Sequence, residues 1–230
     1  MRKTLMTILV SGLVLASCSQ KQGSDNPLLQ TWDTPFETAP FEKIKVEHYL
    51  PAFEAAMAEH DKEIQAIIDN AEAPTFDNTI AALDYSGQTL TKVAGVFYNM
   101  MAANTSEELQ KVNEQIGPMM ATHSDNVSMN AKLFEKIKAV YDAKDSQKYT
   151  GEQLALLEKT YKQFVRSGAL LDAEKQAELR EVNAELTKVE AKFDANLLKE
   201  TKSYQLVIDN QENLKGLPQG EIEKAAALAK

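Results

Sequence analysis

Residues that usually hold metals or carry redox chemistry are scarce in this 230-residue chain, which has one cysteine, Cys18, and three histidines, His48, His60 and His123. A single cysteine excludes an intrachain disulfide. His60-Asp61-Lys62-Glu63 lacks a second histidine four residues on, so it is not the His-Glu-x-x-His helix of a zinc peptidase. Basic charge is also short: 25 Lys and Arg stand against 34 Asp and Glu, a formal net charge of -9. With no basic patch, the chain is expected to have no nucleic-acid partner. Beyond the first residues there is no apolar run of membrane-spanning length, and no Gly-x-Ser-x-Gly elbow or phosphate loop occurs.

What is present begins with a leader. Arg2 and Lys3 precede an apolar stretch, Leu5 to Leu15, broken only by Thr7, Ser11 and Gly12. This is the layout of a secretory signal. Leu15-Ala16-Ser17-Cys18 closes it and resembles a bacterial lipobox, in which the cysteine sulfur is acylated and becomes the new N-terminus. Two or more acyl chains would anchor the protein stably to a membrane. The expectation is therefore an exported cell-envelope lipoprotein, periplasm-facing and attached at Cys18, with Ser19 in the next position slightly favouring the outer membrane. Residues 1–17 are the expected signal peptide, 18–33 the lipidated tether and 34–230 a helical domain. Trp32, Phe36 and Phe41 are the expected anchors of the lead-in.

The remainder reads as all-α, a multi-helix region with at most one short strand near 204–208. Leu50, Phe53, Met57, Ile64 and Ile67 recur at helical spacing across 47–71, with Pro51 in the first turn. A second helix is expected from Thr75 to Ala103. A third should open at the capping sequence Thr105-Ser106-Glu107-Glu108 and kink at Gly117-Pro118. Leu133, Phe134, Ile137 and Val140 mark a fourth. Thr150-Gly151-Glu152-Gln153 is a second capping box, opening a fifth helix that ends near Gly168. The sixth, Asp172 to about Thr201, carries the seam Leu179, Val182, Leu186, Val189, Phe193 and Leu197, expected to pack on neighbouring helices rather than form a coiled-coil arm. Tyr204 to Ile208 alternates and is rich in β-formers, so a strand is expected there. A last helix begins near Glu221, and the chain stops inside it without a cap, which suggests a cut.

No reading of the residues alone supports catalysis. His48 and His60 lie three turns apart on one helix, too far to share a metal, and His123 has only Asp125 near it in sequence. Each histidine is expected on a helix surface or satisfied in the core. The catalytic and metal residues read from this chain are accordingly none. Met100, Met101, Met119, Met120 and Met129 are expected to fill core gaps rather than form a peptide-binding surface.

A series of separated segments carries more information. Asn26-Pro27-Leu28-Leu29, Pro40-Phe41-Glu42-Lys43-Ile44 and His48-Tyr49-Leu50-Pro51-Ala52-Phe53-Glu54 come in order. Pro74-Thr75-Phe76-Asp77-Asn78-Thr79-Ile80, Ser86-Gly87, Val96-Phe97-Tyr98-Asn99 and Ala103-Asn104-Thr105 follow. Later come Leu157-Glu158-Lys159-Thr160-Tyr161, Phe164-Val165-Arg166-Ser167-Gly168, Phe193, Asn196-Leu197-Leu198, Glu200-Thr201 and Gly216-Leu217-Pro218. Together they resemble the opening region of thimet-oligopeptidase-like zinc peptidases, in the peptidyl-dipeptidase and oligopeptidase A branch. The resemblance implies a two-lobed, almost wholly helical enzyme around a deep channel, with one zinc held in the C-terminal part. This chain would supply channel wall, bind no zinc itself, and act on short unfolded peptides only as part of the complete enzyme. The alternative expectation is a non-catalytic, lipid-anchored helical module that binds peptides or a partner protein.

Overall fold

The computed structural model describes residues 25–229, so the leader and Cys18 lie outside the described residues. The fold is all-α, with no strand among the described residues. Two units divide between Ala184 and Glu185.

In the first unit, α1 (Tyr49–Asp69) packs on α3 (Gln88–Ala103), α4 (Glu107–Ser128) and α5 (Ala131–Asp142); α5 packs on α6 (Gly151–Arg166). A π-helical stretch, Phe76–Ala81, runs into the short α2, Ala82–Tyr85, and packs on α5 and α6. Two hydrophobic cores result, and α1 contributes to both. Its N-terminal half buries Tyr49, Phe53 and Met57 against Val93 and Phe97 of α3 and Ile116 of α4. Phe97 meets Tyr49 and Phe53 edge-on at centroid distances of 5.0 and 5.5 Å, the arrangement ring quadrupoles favour. The C-terminal half of α1 buries Ile64 and Ile67 with Leu133, Ile137, Leu157 and Phe164. Of the methionines expected in the core, Met129 is buried and Met100, Met101, Met119 and Met120 pack partly buried against the first core.

Several local expectations are corrected. The run from Thr75 to Ala103 is not one helix: it breaks at Ser86-Gly87, where Gly87 adopts φ 70°, a left-handed conformation suited to a residue without Cβ. The cap of α4 is Ser106, whose side chain accepts from Leu109 N–H, and Thr105 instead donates to the Met101 sulfur. The Thr150 capping box forms in both directions: Gln153 N–H donates to Thr150 Oγ1 at 3.2 Å and Thr150 N–H to Gln153 Oε1 at 3.0 Å. Thr75 and Asn78 form the same reciprocal pair. In the lead-in, Asn26 and Leu28 are buried and Trp32 packs on the first core, so residues expected in the tether are docked. Phe41 is half exposed and Phe36 almost fully exposed, so neither is an anchor.

α7 (Ala173–Ser203) starts in the first unit and ends in the second. None of its residues is buried, so the seam from Val182 to Leu197 lies in solvent rather than packed as expected. In the second unit, residues 204–208 are exposed and form no strand. An isolated β-prone run has no ladder to satisfy its backbone, so propensity alone does not make it a strand. A short 3-10 turn, Gln211–Leu214, and α8, Gln219–Leu228, complete this unit.

Candidate functional site

The polar chemistry of the first unit concentrates where its two cores meet. Along α1 the inward stripe runs Phe53, Met57, His60, Ile64, Ile67, with His60 half-buried, so helical spacing inserts one imidazole between the two apolar halves. Along α4 the stripe Leu109, Ile116, His123 does the same. The two rings meet: His60 Nδ1 lies 2.8 Å from His123 Nε2, with centroids 5.0 Å apart.

Both outer nitrogens are also engaged. His60 Nε2 is 3.1 Å from Ser86 Oγ, and the Ser86 hydroxyl donates to Leu83 O at 2.7 Å. His123 Nδ1 is 3.3 Å from Asp61 Oδ1. The result is a continuous chain, Leu83 O, Ser86, His60, His123, Asp61, joining α2, α1 and α4. Next to it Glu63 Oε2 accepts from Gly87 N–H at 2.7 Å, which fixes the turn that carries Ser86. Asp125, adjacent to His123 in sequence, is not its partner: Asp125 is buried and accepts from Asn183 Nδ2 at 2.8 Å, while Arg180 donates to Asn126 Oδ1 and Asp125 O.

Burial, and next the neighbouring His123, hold the His60 pKa below its ordinary value; Glu63 and Asp61 oppose the shift without cancelling it. A groove between α1 and α4 exposes the Asp61 end of the chain, with Met57, Met119, Thr122 and His123 along it.

This pairing is not legible from spacing, because His60 and His123 are 63 residues apart. Each histidine replaces an apolar residue at a stripe position, and that was the available signal. His48 stays outside the cluster, accepting from Lys45 N–H through Nδ1 at 3.0 Å. The cluster can hold and pass a proton. It does not present a free nucleophile, since the Ser86 hydrogen is committed to a carbonyl. Nor does it fit a zinc ion: among the described residues no three His, Cys, Asp or Glu side chains are grouped to hold a metal. No helix among them is long and apolar enough to cross a membrane.

Comparison with known proteins places these helices in context. The N-terminal domain of the neurolysin/thimet oligopeptidase family matches residues 53–176, which spans α1 to the start of α7. The chain is 36% identical over 205 residues to a dipeptidyl carboxypeptidase of Escherichia coli (strain K12), covering 89% of this chain and 30% of that protein. It is 27% identical over 195 residues to the organellar oligopeptidase A of Arabidopsis thaliana, covering 85% and 24%, respectively. Against the oligopeptidase A of Escherichia coli (strain K12) the identity is 26% over 207 residues, covering 89% and 29%. The chain therefore spans no more than about a third of the length of these relatives.

Proposed function

This chain belongs to the neurolysin/thimet oligopeptidase family, and from that membership we propose that it is the N-terminal helical portion of a zinc metallopeptidase that hydrolyses short peptides. The observation that carries the reading is the match of α1 through the start of α7 to the family's N-terminal domain, in a chain related to a dipeptidyl carboxypeptidase over nearly its whole length. Zinc would be supplied by the part of the complete enzyme outside these residues, where it would activate water for amide hydrolysis. The helical portion contributes form rather than chemistry. Its helices are locked by two cores and present a rigid wall, so a substrate passes by being thin and unfolded, and folded proteins are kept from the metal.

We further propose that the protein is exported and held to the cell envelope, through lipid on Cys18, with the helical portion facing the periplasm; the outer membrane is the favoured site. The charged start, apolar run and Leu15-Ala16-Ser17-Cys18 support this. Incorporation of a labelled fatty acid, lost in Cys18→Ala, tests it; labelling that persists in the variant overturns it.

The enzymatic reading is tested by measuring peptide hydrolysis by the complete gene product from its host and by the 230-residue chain alone, with and without a chelator. Expected is chelator-sensitive cleavage of short peptides by the complete product, folded proteins left intact, and no turnover by the chain alone. Zinc-dependent turnover by the chain alone overturns the division of labour. An inactive complete product that binds peptides overturns the peptidase reading in favour of a lipid-anchored binding module.

A further inference from the structure

We propose that Ser86, His60 and His123 form a clasp that fastens α4 and the Ser86-Gly87 turn to α1 and opens when His60 takes up a proton.

Counting hydrogens along the chain of contacts leads to this. The Ser86 hydroxyl has one hydrogen, directed at Leu83 O, an acceptor only. His60 Nε2 must then donate to Ser86 Oγ, which leaves His60 Nδ1 bare in the neutral ring. That lone pair accepts from His123 Nε2–H across 2.8 Å. The contact between the rings is satisfied only while His60 Nδ1 carries no hydrogen. A proton taken up there would place two N–H groups against each other at hydrogen-bond distance and set a cation into a half-buried site.

The charged surroundings relieve that protonation only in part. On α1, Glu63 accepts from Gly87 N–H and Asp61 lies beside His123. Glu54, also on α1, lines the same groove. On α4, Asp125 is tied to Asn183, and Arg180 of α7 adds a cation to that neighbourhood. α3 begins beyond Gly87 and contributes no charge to the contact. The lowered His60 pKa agrees in direction, and the sign follows. The unfolded chain takes its proton first as pH falls, so the stabilisation present at neutral pH is lost on acidification. In the window below the ordinary imidazole value of about 6.5 and above the native one, the folded-to-unfolded ratio should fall by about tenfold per pH unit from this group alone.

The test is a titration of the whole chain from about pH 8 to about pH 5, with ring nitrogens followed by 15N NMR and the methyl groups of Met57 and Met119, which border the groove, followed by 13C NMR. Expected at neutral pH is a neutral His60 ring protonated on Nε2 alone, with the methionine signals shifting as His60 takes up its proton. The variant His60→Gln retains an amide donor and a carbonyl acceptor and cannot be protonated, so the methionine shifts and this component of acid destabilisation should disappear. Two rings that titrate independently at the ordinary value overturn the proposal. So does a His60→Gln chain that keeps the full acid response. If that variant fails to fold, the wild-type ring titration decides alone.

Discussion

Gly87 and Gly95 make a paired experiment, because the structure assigns the same substitution opposite signs at the start and in the middle of one helix. Gly87 precedes α3 with φ 70°, and a Cβ added there would lie 3.3 Å from three atoms of the His60 ring. An alanine forced into the left-handed region costs about 1 kcal/mol. The ring must also move by a few tenths of an ångström, weakening its bonds to His123 and Ser86, each with a net contribution of about 1 kcal/mol. Gly87→Ala should therefore destabilise by roughly 2 to 3 kcal/mol, a fall in Tm of about 4 to 12 °C for a chain of this size. Gly95 is exposed within α3, with helical backbone and no atom within 4 Å of an added Cβ. There alanine removes the backbone freedom of glycine from the unfolded chain and should stabilise by about 0.5 to 1 kcal/mol. Thermal unfolding by circular dichroism near neutral pH reads both. A Gly87→Ala protein as stable as wild type, or a Gly95→Ala protein that is weaker, would overturn this assignment. A Gly87→Ala protein that loses stability while its His60–His123 ring signals stay unchanged would assign the whole cost to backbone conformation.

Phe97 is fully buried between Tyr49 and Phe53, and Phe97→Ala should cost about 3 to 5 kcal/mol in chemical denaturation; a loss below about 1 kcal/mol would mean the first core is not packed as described. Thr150→Ala removes the acceptor for Gln153 N–H at the start of α6 and should cost about 1 kcal/mol, with Thr150→Ser restoring most of it; an indifferent Thr150→Ala would show that the box adds nothing. Between pH 7 and pH 5 the wild-type chain should lose stability more steeply than His60→Gln, measured as the difference in Tm at each pH.

Helical spacing made the helix-rich architecture readable, since apolar residues at steps of three and four appear wherever a helix buries one side. The residues expected on α1 and α5 are the ones that fill the two cores. Four departures have separate physical origins. Residues 204–208 have β propensity, but propensity needs a partner edge, and that lies outside a one-dimensional reading. The seam of α7 is periodic without being buried, because periodicity reports a face and says nothing of what covers it. Ser86-Gly87 broke an expected helix, and only the Gly87 conformation marks the site. The histidine cluster is hidden in one dimension because the fold joins residues of separate helices, 63 positions apart. His60 among Phe53, Met57, Ile64 and Ile67 was the legible clue: a polar ring in an apolar stripe needs a polar answer from the opposite helix.

Trp32 is the only tryptophan in the chain. Its indole N–H donates to Pro27 O at 2.8 Å, the Lys92 ammonium sits 5.0 Å above the ring, and the Lys92 head also reaches Gln30 O. The protein thus carries a built-in optical reporter at the spot where the lead-in meets the helices. Its emission should redden when that segment lifts away, so detachment of the lead-in can be timed separately from loss of helicity, without attaching any dye.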